Sequence, residues 1–233
     1  MSSFALIGNG ANSADGDSPV VAIIGGTGPE GLGLAMRFAQ AGGDIIIGSR
    51  SQERADEATA KVRDRIPRGR VRGMPNVEAA NAANILIIAV PFEGQRDALL
   101  QLGSASVGKI LISTVVPLQF EKGRPKAIRV EEGSAAEQAQ ATLPNAKVVA
   151  AFHNLSAKEL AEIEHEVPSD VVVCGNDKEA KQVVIALAGK IKGVRGIDGG
   201  GLESSRYVED LTALLLTINR IYKVQSGVRI VGV

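Results

Sequence analysis

The stretch that offers the clearest chemistry is "AIIGGTGPEGLGLAM", in which Gly26-Thr27-Gly28-Pro29-Glu30-Gly31 follows an apolar strand pattern and opens a helical one. This is G-x-G-x-x-G in its productive context. The first glycine allows a tight turn, the second lets backbone approach a pyrophosphate, and the third permits close helix–strand packing. Backbone amides and the positive end of the helix dipole then hold the phosphates. The next strand, "DIIIGS", ends at Ser49 and is followed by Arg50. Sites selective for NAD place a carboxylate there, to accept from the ribose 2′-hydroxyl. A hydroxyl at Ser49 and guanidinium groups at Arg50 and Arg54 suit a 2′-phosphate instead, so the sequence predicts NADP as cofactor.

Ligands of open α/β sheets bind beyond the carboxyl ends of the strands. That rule selects Pro91 and Phe92, the run Thr114 to Pro117, and His153 with Asn154. Few of these groups titrate. H-E-x-x-H, G-x-S-x-G and Cys/His metal spacings are all missing from the sequence, so it supplies neither a candidate metal site nor a candidate nucleophile. His153 follows a buried strand and reads as pocket-lining more readily than as a proton carrier, whereas His165 lies in a polar stretch and reads as surface. An apolar pocket poor in acids and bases suits hydride transfer between two bound cofactors, where the protein supplies orientation.

The elements that must position these residues follow from the pattern. β-branched runs alternate with helical periods, the form of repeated βαβ units. The expected fold is α/β, a Rossmann-type doubly wound parallel sheet, with a smaller α-rich C-terminal domain. Strands are expected at 20–25, 44–49, near 70–74, 84–90, 109–116, 147–152 and 170–175. Residues 1–18 read as a disordered tail, 19–152 as the NADP-binding domain and 153–233 as the smaller domain. The segment 117–132, "PLQFEKGRPKAIRVEE", lacks a clear period and reads as a long loop. Residues 203–223 read as one helix whose stripe, Val208, Leu211, Leu214, Leu215, Ile218 and Ile221, is either core or dimer surface.

Composition narrows the class further. The chain has 233 residues, 26 basic against 26 acidic, and a pI near 6.8, which argues against nucleic acid or an anionic membrane as partner. No apolar run approaches the roughly 20 residues of a membrane span. The single cysteine, Cys174, excludes an internal disulfide and fits a cytoplasmic protein.

The chain resembles the NADPH-dependent coenzyme F420 reductases, also called F420H2:NADP oxidoreductases. The likeness runs from Val20 to the C-terminus. It is carried by "IIGGTGPEGLGLAMRFAQAGGDIIIGSRS", "ILIIAVPFE", "AFHNLSA", "VVVCGND" and "GGGLESSRYVEDLTALLLTINR". The resemblance implies hydride passage between C4 of NADP(H) and C5 of the deazaflavin F420, in a chain that pairs into homodimers. It also implies roles for residues. Thr27, Gly28, Pro29 and Glu30 fall at the pyrophosphate turn, and Ser49, Arg50 and Arg54 at the 2′-phosphate. Phe92, Val116, Leu118 and Ala157 line the cofactor, and His153 with the "ESSRYVE" segment lies near the deazaflavin. Lys122, Arg124, Lys126 and Arg129 could meet its anionic phosphate and glutamate tail. Reduction of another flavin or of a small carbonyl or imine, and a non-catalytic NADP(H) sensor, remain the alternatives.

Overall fold

The computed structural model describes residues 19–233; the expected tail at 1–18 lies outside them. Eight strands form one sheet in the order β10-β9-β8-β5-β4-β1-β2-β3. They are β1 (Val20–Ile24), β2 (Asp44–Ser49), β3 (Arg70–Pro75), β4 (Ile85–Ile88), β5 (Ile110–Ser113), β8 (Lys147–Ala150), β9 (Ser169–Gly175) and β10 (Val194–Asp198). The chain runs outward from β1 through β2 to β3, then crosses back to place β4 on the other side of β1. The order therefore reverses between β1 and β4, the crevice where dinucleotides bind in doubly wound sheets.

Strict alternation along the strands covers both faces. Val21 and Ile23, Ile45 and Ile47, and Ile85 and Ile87 face one core with helices α1 (Pro29–Gln40), α2 (Gln52–Arg65), α6 (Ala157–Ala161) and α7 (Lys178–Ala188). Ala22 and Ile24, Ile46, Leu86 and Ile88 face a second core with α3 (Asn76–Ala82), α4 (Gln95–Leu102) and α5 (Ala135–Thr142). Burial on both faces is why these strands read as continuous apolar runs.

The structure departs from the sequence reading at two places. β9, read as one more strand of a parallel sheet, runs antiparallel to β8, with Ala150 opposite Cys174, and β10 follows β9 in parallel. Residues 153–233 thus extend the first sheet as well as adding the long helix α8 (Ser205–Tyr222). The segment read as a loop at 117–132 contains a hairpin, β6 (Leu118–Glu121) and β7 (Arg124–Ala127), paired antiparallel around Lys122-Gly123. Both turn residues have positive φ, +49° and +73°, the primed-turn geometry that matches strand twist. Leu118 and Phe120 alternate with Gln119 and Glu121, but strands of four residues with no buried face are too short for that alternation to stand out.

Helix α1 ends in a Schellman motif: Gly43 donates to the Phe38 carbonyl and Gly42, at φ +84°, to that of Ala39. The Gly42-Gly43 pair thus serves as the expected stop. None of the described helices is long and apolar enough to cross a membrane.

Candidate functional site

The turn between β1 and α1 divides the glycine roles differently from the expectation. The residue that needs a positive φ is Gly25, at +72°, one place before the motif; a Cβ there would lie 2.4 Å from the Val90 side chain. Gly26 is required for close approach, since its Cβ would meet the Ile23 carbonyl oxygen at 2.7 Å. A Cβ on Gly31 would lie 2.6 Å from the Gly26 Cα, so only glycine lets α1 pack directly on the turn. Both are buried supports of the turn. Gly28 differs: nothing lies within 4 Å of a Cβ built on it. That open space sits at the N-terminus of α1, where Pro29 occupies the first turn and no side chain caps the helix. Amides of the first turn have no intrahelical acceptor, so the end of α1 is a ready anion site.

On one side of this turn lies a cleft of about 520 Å³, lined by Gly25, Thr27, Gly28, Ser49, Arg50 and Arg54 with Asn76 and the Val90-Pro91 corner. Ser49 is buried and both arginines are exposed. Among the described residues, neither guanidinium takes part in an ion pair. Ser51 caps α2 by accepting from the Arg54 amide, which holds the arginine-bearing turn against the end of β2. Asn76 passes unnoticed in the sequence, yet its Oδ1 accepts from the Gly25 amide at 3.2 Å and fixes the turn. Phe92, expected to line the cofactor, is partly buried against the second core, as is Val90, and it is Val90 and Pro91 that line the cleft.

Beside α6 and α8 lies a cavity of about 390 Å³ that brings together Val116, Leu118, His153, Ala157 and Glu30. Thr114, on the loop after β5, and Thr212, on α8, belong to its polar lining, together with Asn154, Ser156, Lys158 and Asn219. Phe152 adopts φ +71°, a conformation that costs a non-glycine residue on the order of 1–3 kcal/mol. Its fully buried ring, edge-on to Phe38 at 6.0 Å, holds that turn in place. The next residue, His153, is thereby directed inward. Its carbonyl accepts from Thr212 at 3.0 Å, and its buried Nε2 has no partner. Burial holds the imidazole down at about 4, so it is neutral at neutral pH. Asn154 is pinned by donating to Ser169 Oγ and the Asp170 carbonyl.

Two clamps fix this wall. Arg37, on α1 and almost wholly buried, donates to the carbonyls of Glu159, Leu160, Glu162, Ile163 and His165, satisfying the orphan end of α6. The C-terminal strap, whose Gln225 and Ser226 line the cavity, is tied down at Asp170. That buried carboxylate accepts from Arg195, Arg229 and the Ile230 amide, and the Arg195 guanidinium leads in holding it well below the usual carboxylate range. Neither clamp is recognisable in the sequence, because a buried arginine and an exposed one look alike there. His165 is exposed and is engaged through its backbone, its amide donating to the Glu162 carbonyl and its own carbonyl accepting from Arg37, while Cys174 is buried, with its thiol pushed up to about 11 by burial.

Comparison with known proteins decides the family. The F420-dependent NADP reductase of Methanocaldococcus jannaschii is 42% identical over 217 residues, covering 90% of this chain and 97% of that protein. The chain belongs to the F420-dependent NADP reductases. The namesake of Methanothermobacter thermautotrophicus is 41% identical over 220 residues, 90% of this chain and 94% of its own. The family profile described as NADP oxidoreductase coenzyme F420-dependent matches residues 20–117, the part that carries the dinucleotide cleft. A crystal structure from Arthrobacter sp. FB24, provisionally named an F420-dependent NADP-reductase, superposes with a TM-score of 0.77 at 25% identity, covering 91% of this chain and 99% of its own. The metalloreductase STEAP2 of Homo sapiens is more distant, 28% identical over 212 residues, 91% of this chain but 40% of that protein.

Proposed function

We propose that this protein is an NADP-dependent oxidoreductase that passes a hydride directly between NADP(H) and coenzyme F420. One observation carries the reading: two cavities adjoin the phosphate turn, one presenting Arg50, Arg54 and buried Ser49, the other walled by Val116, Leu118, Leu155, Ala157, Leu215 and Leu216 among mostly uncharged polar groups, with Glu30 and Lys158 in its lining. Open space over Gly28 and the two unpaired guanidiniums fit a phosphorylated dinucleotide. Thr27, Gly28 and the α1 amides hold the pyrophosphate, Ser49 donates to the 2′-phosphate, and Arg50 and Arg54 neutralise it. Val116, Leu118, His153 and Ala157 pack the two rings together and exclude water. The bound cofactors supply the hydride donor and acceptor carbons, so the protein's work is alignment.

The division of labour follows the chain. Residues 19–152 bind NADP, and 153–233 close the deazaflavin pocket and provide the subunit contact. Lys122 and Arg124 line a separate concavity at the turn of the hairpin that starts at cavity-lining Leu118, and they are the cations assigned to the anionic tail. Tyr207, Leu214 and Ile221 recur at heptad spacing on α8 and are 71%, 55% and 63% exposed, a stripe suited to a second copy of this chain. A homodimer in a reducing cytoplasm, where Cys174 stays a thiol, is the assembly that fits. The test offers F420, FMN and FAD separately to the protein with NADPH. Reduction of F420 alone supports the reading; reduction of FMN or FAD instead, or of none, contradicts it.

A further inference from the structure

The side chain of Glu30 has a place the phosphate turn does not explain. Its backbone belongs to the first turn of α1, yet the residue lines the cavity of Val116, Leu118 and His153 and not the cleft that holds Arg50 and Arg54. Its Oε1 is fully buried and has no hydrogen-bond partner. A buried carboxyl oxygen left unpaired is costly, and such groups mark places where a ligand completes the network.

The dinucleotide crosses the turn at Gly28. With the 2′-phosphate arm claimed by the cations on one side, the nicotinamide arm enters the cavity on the other, past Glu30. We propose that Glu30 accepts a hydrogen bond from the nicotinamide carboxamide and serves as the proton-linked counter-charge of the oxidised ring. The inference rests on the dinucleotide reading of the two cavities.

No other carboxylate lines this cavity. The segment after β8 contributes His153, neutral in its buried setting, and α6 contributes Ala157 and one cation, Lys158. The stretch from β5 to the hairpin offers Thr114, Val116 and Leu118, and α8 and the strap offer no ionisable lining residue. On α1 itself the next charge is Arg37, already held by five carbonyls. Burial pushes the Glu30 carboxyl up to about 8, so the free protein holds it mostly protonated at neutral pH. An adjacent pyridinium favours the carboxylate and lowers that value; a neutral dihydropyridine does not. Glu30 therefore meets NADP+ as a carboxylate and ends the turnover as an acid, taking up the proton that leaves the reduced deazaflavin alongside its hydride. The equation Glu30–COO− + NADP+ + F420H2 → Glu30–COOH + NADPH + F420 closes in atoms and charge.

The test is binding without turnover. Dissociation constants of NADP+ and NADPH are measured against pH for the wild type and Glu30→Gln. Their ratio cancels the titration of the shared 2′-phosphate. In the wild type the ratio Kd(NADP+)/Kd(NADPH) should fall about tenfold between about pH 7 and pH 9, as the proton expelled by NADP+ becomes free to leave. Calorimetry in two buffers of different ionisation enthalpy should find close to one proton released per NADP+ at neutral pH and almost none per NADPH. Glu30→Gln should abolish both effects while still binding both nucleotides. A ratio independent of pH in the wild type, or a slope that survives Glu30→Gln, overturns the proposal. A wild-type slope abolished by the substitution in a protein that cannot use F420 upholds Glu30 and sinks the deazaflavin reading. Failure of the wild type to bind either nucleotide sinks both.

Discussion

Arg50→Ala tests how the cleft chooses its dinucleotide. Arg50 sits at the end of β2 where a carboxylate would select NAD, and its guanidinium is exposed and free of ion pairs. Removing it leaves Ser49 and Arg54 in place, so the 2′-phosphate loses one charge-assisted contact out of three candidate partners. Such contacts contribute about 1.5–3 kcal/mol. Exposure to solvent screens the charge, which puts the expected loss near the lower end, about 1.5 kcal/mol or roughly tenfold in Kd at moderate salt. NADH has no 2′-phosphate and should lose almost nothing. Fluorescence titration of NADPH and NADH against both proteins gives the two ratios directly. The NADPH loss should shrink as ionic strength rises, because a screened charge has less to lose. Equal weakening of NADPH and NADH would refute the assignment of this side of the cleft to the 2′-phosphate.

Three further outcomes follow from the geometry. Gly28→Ala, with open space around the new methyl, should leave the melting temperature nearly unchanged yet weaken NADPH and NADH alike, whereas Gly26→Ala should lower it because the Ile23 carbonyl lies in the way. Asp170→Asn should cost on the order of 3 kcal/mol in denaturant unfolding, since two arginines and an amide lose their buried anion. Because the folded carboxyl titrates far below the unfolded one, the wild-type contribution is complete at neutral pH and disappears only on acidification below the ordinary aspartate range, so a protein losing it near neutrality would contradict the account. His153, depressed to about 4, opposes folding below its unfolded value, so His153→Gln should flatten the loss of stability between about pH 6.5 and 4 and leave the neutral pH profile of NADPH binding untouched.

Much of this architecture is legible in the sequence because it is written in local patterns. The β-branched runs, the Gly42-Gly43 stop and the exchange of an acid for Ser49-Arg50 need no tertiary information. The features that escaped are those whose meaning depends on what comes to face them. Glu30 reads as part of a phosphate turn until the fold makes it a lining residue of the second cavity, with its Oε1 buried. Arg37 and Asp170 read as ordinary charges, although one caps α6 from a distant helix and the other ties down the C-terminal strap. The reversed direction of β9 has no local signature, since a run buried on both faces looks the same in either orientation. Leu211 and Ile218 share the apolar stripe of α8 with the well-exposed Leu214 and Ile221, and periodicity alone does not tell a core from an uncovered surface.

The central claim is that both cofactors sit in this chain at once and exchange hydride without an intermediate carrier. NADPH carrying deuterium at C4, on each face in turn, can be mixed with F420 and the purified protein in ordinary water, and the reduced deazaflavin weighed by mass spectrometry. The account predicts that deuterium from one face arrives intact in the product, bound at C5. Loss of the label to solvent from both faces, or oxidation of NADPH that leaves F420 unreduced, would contradict it.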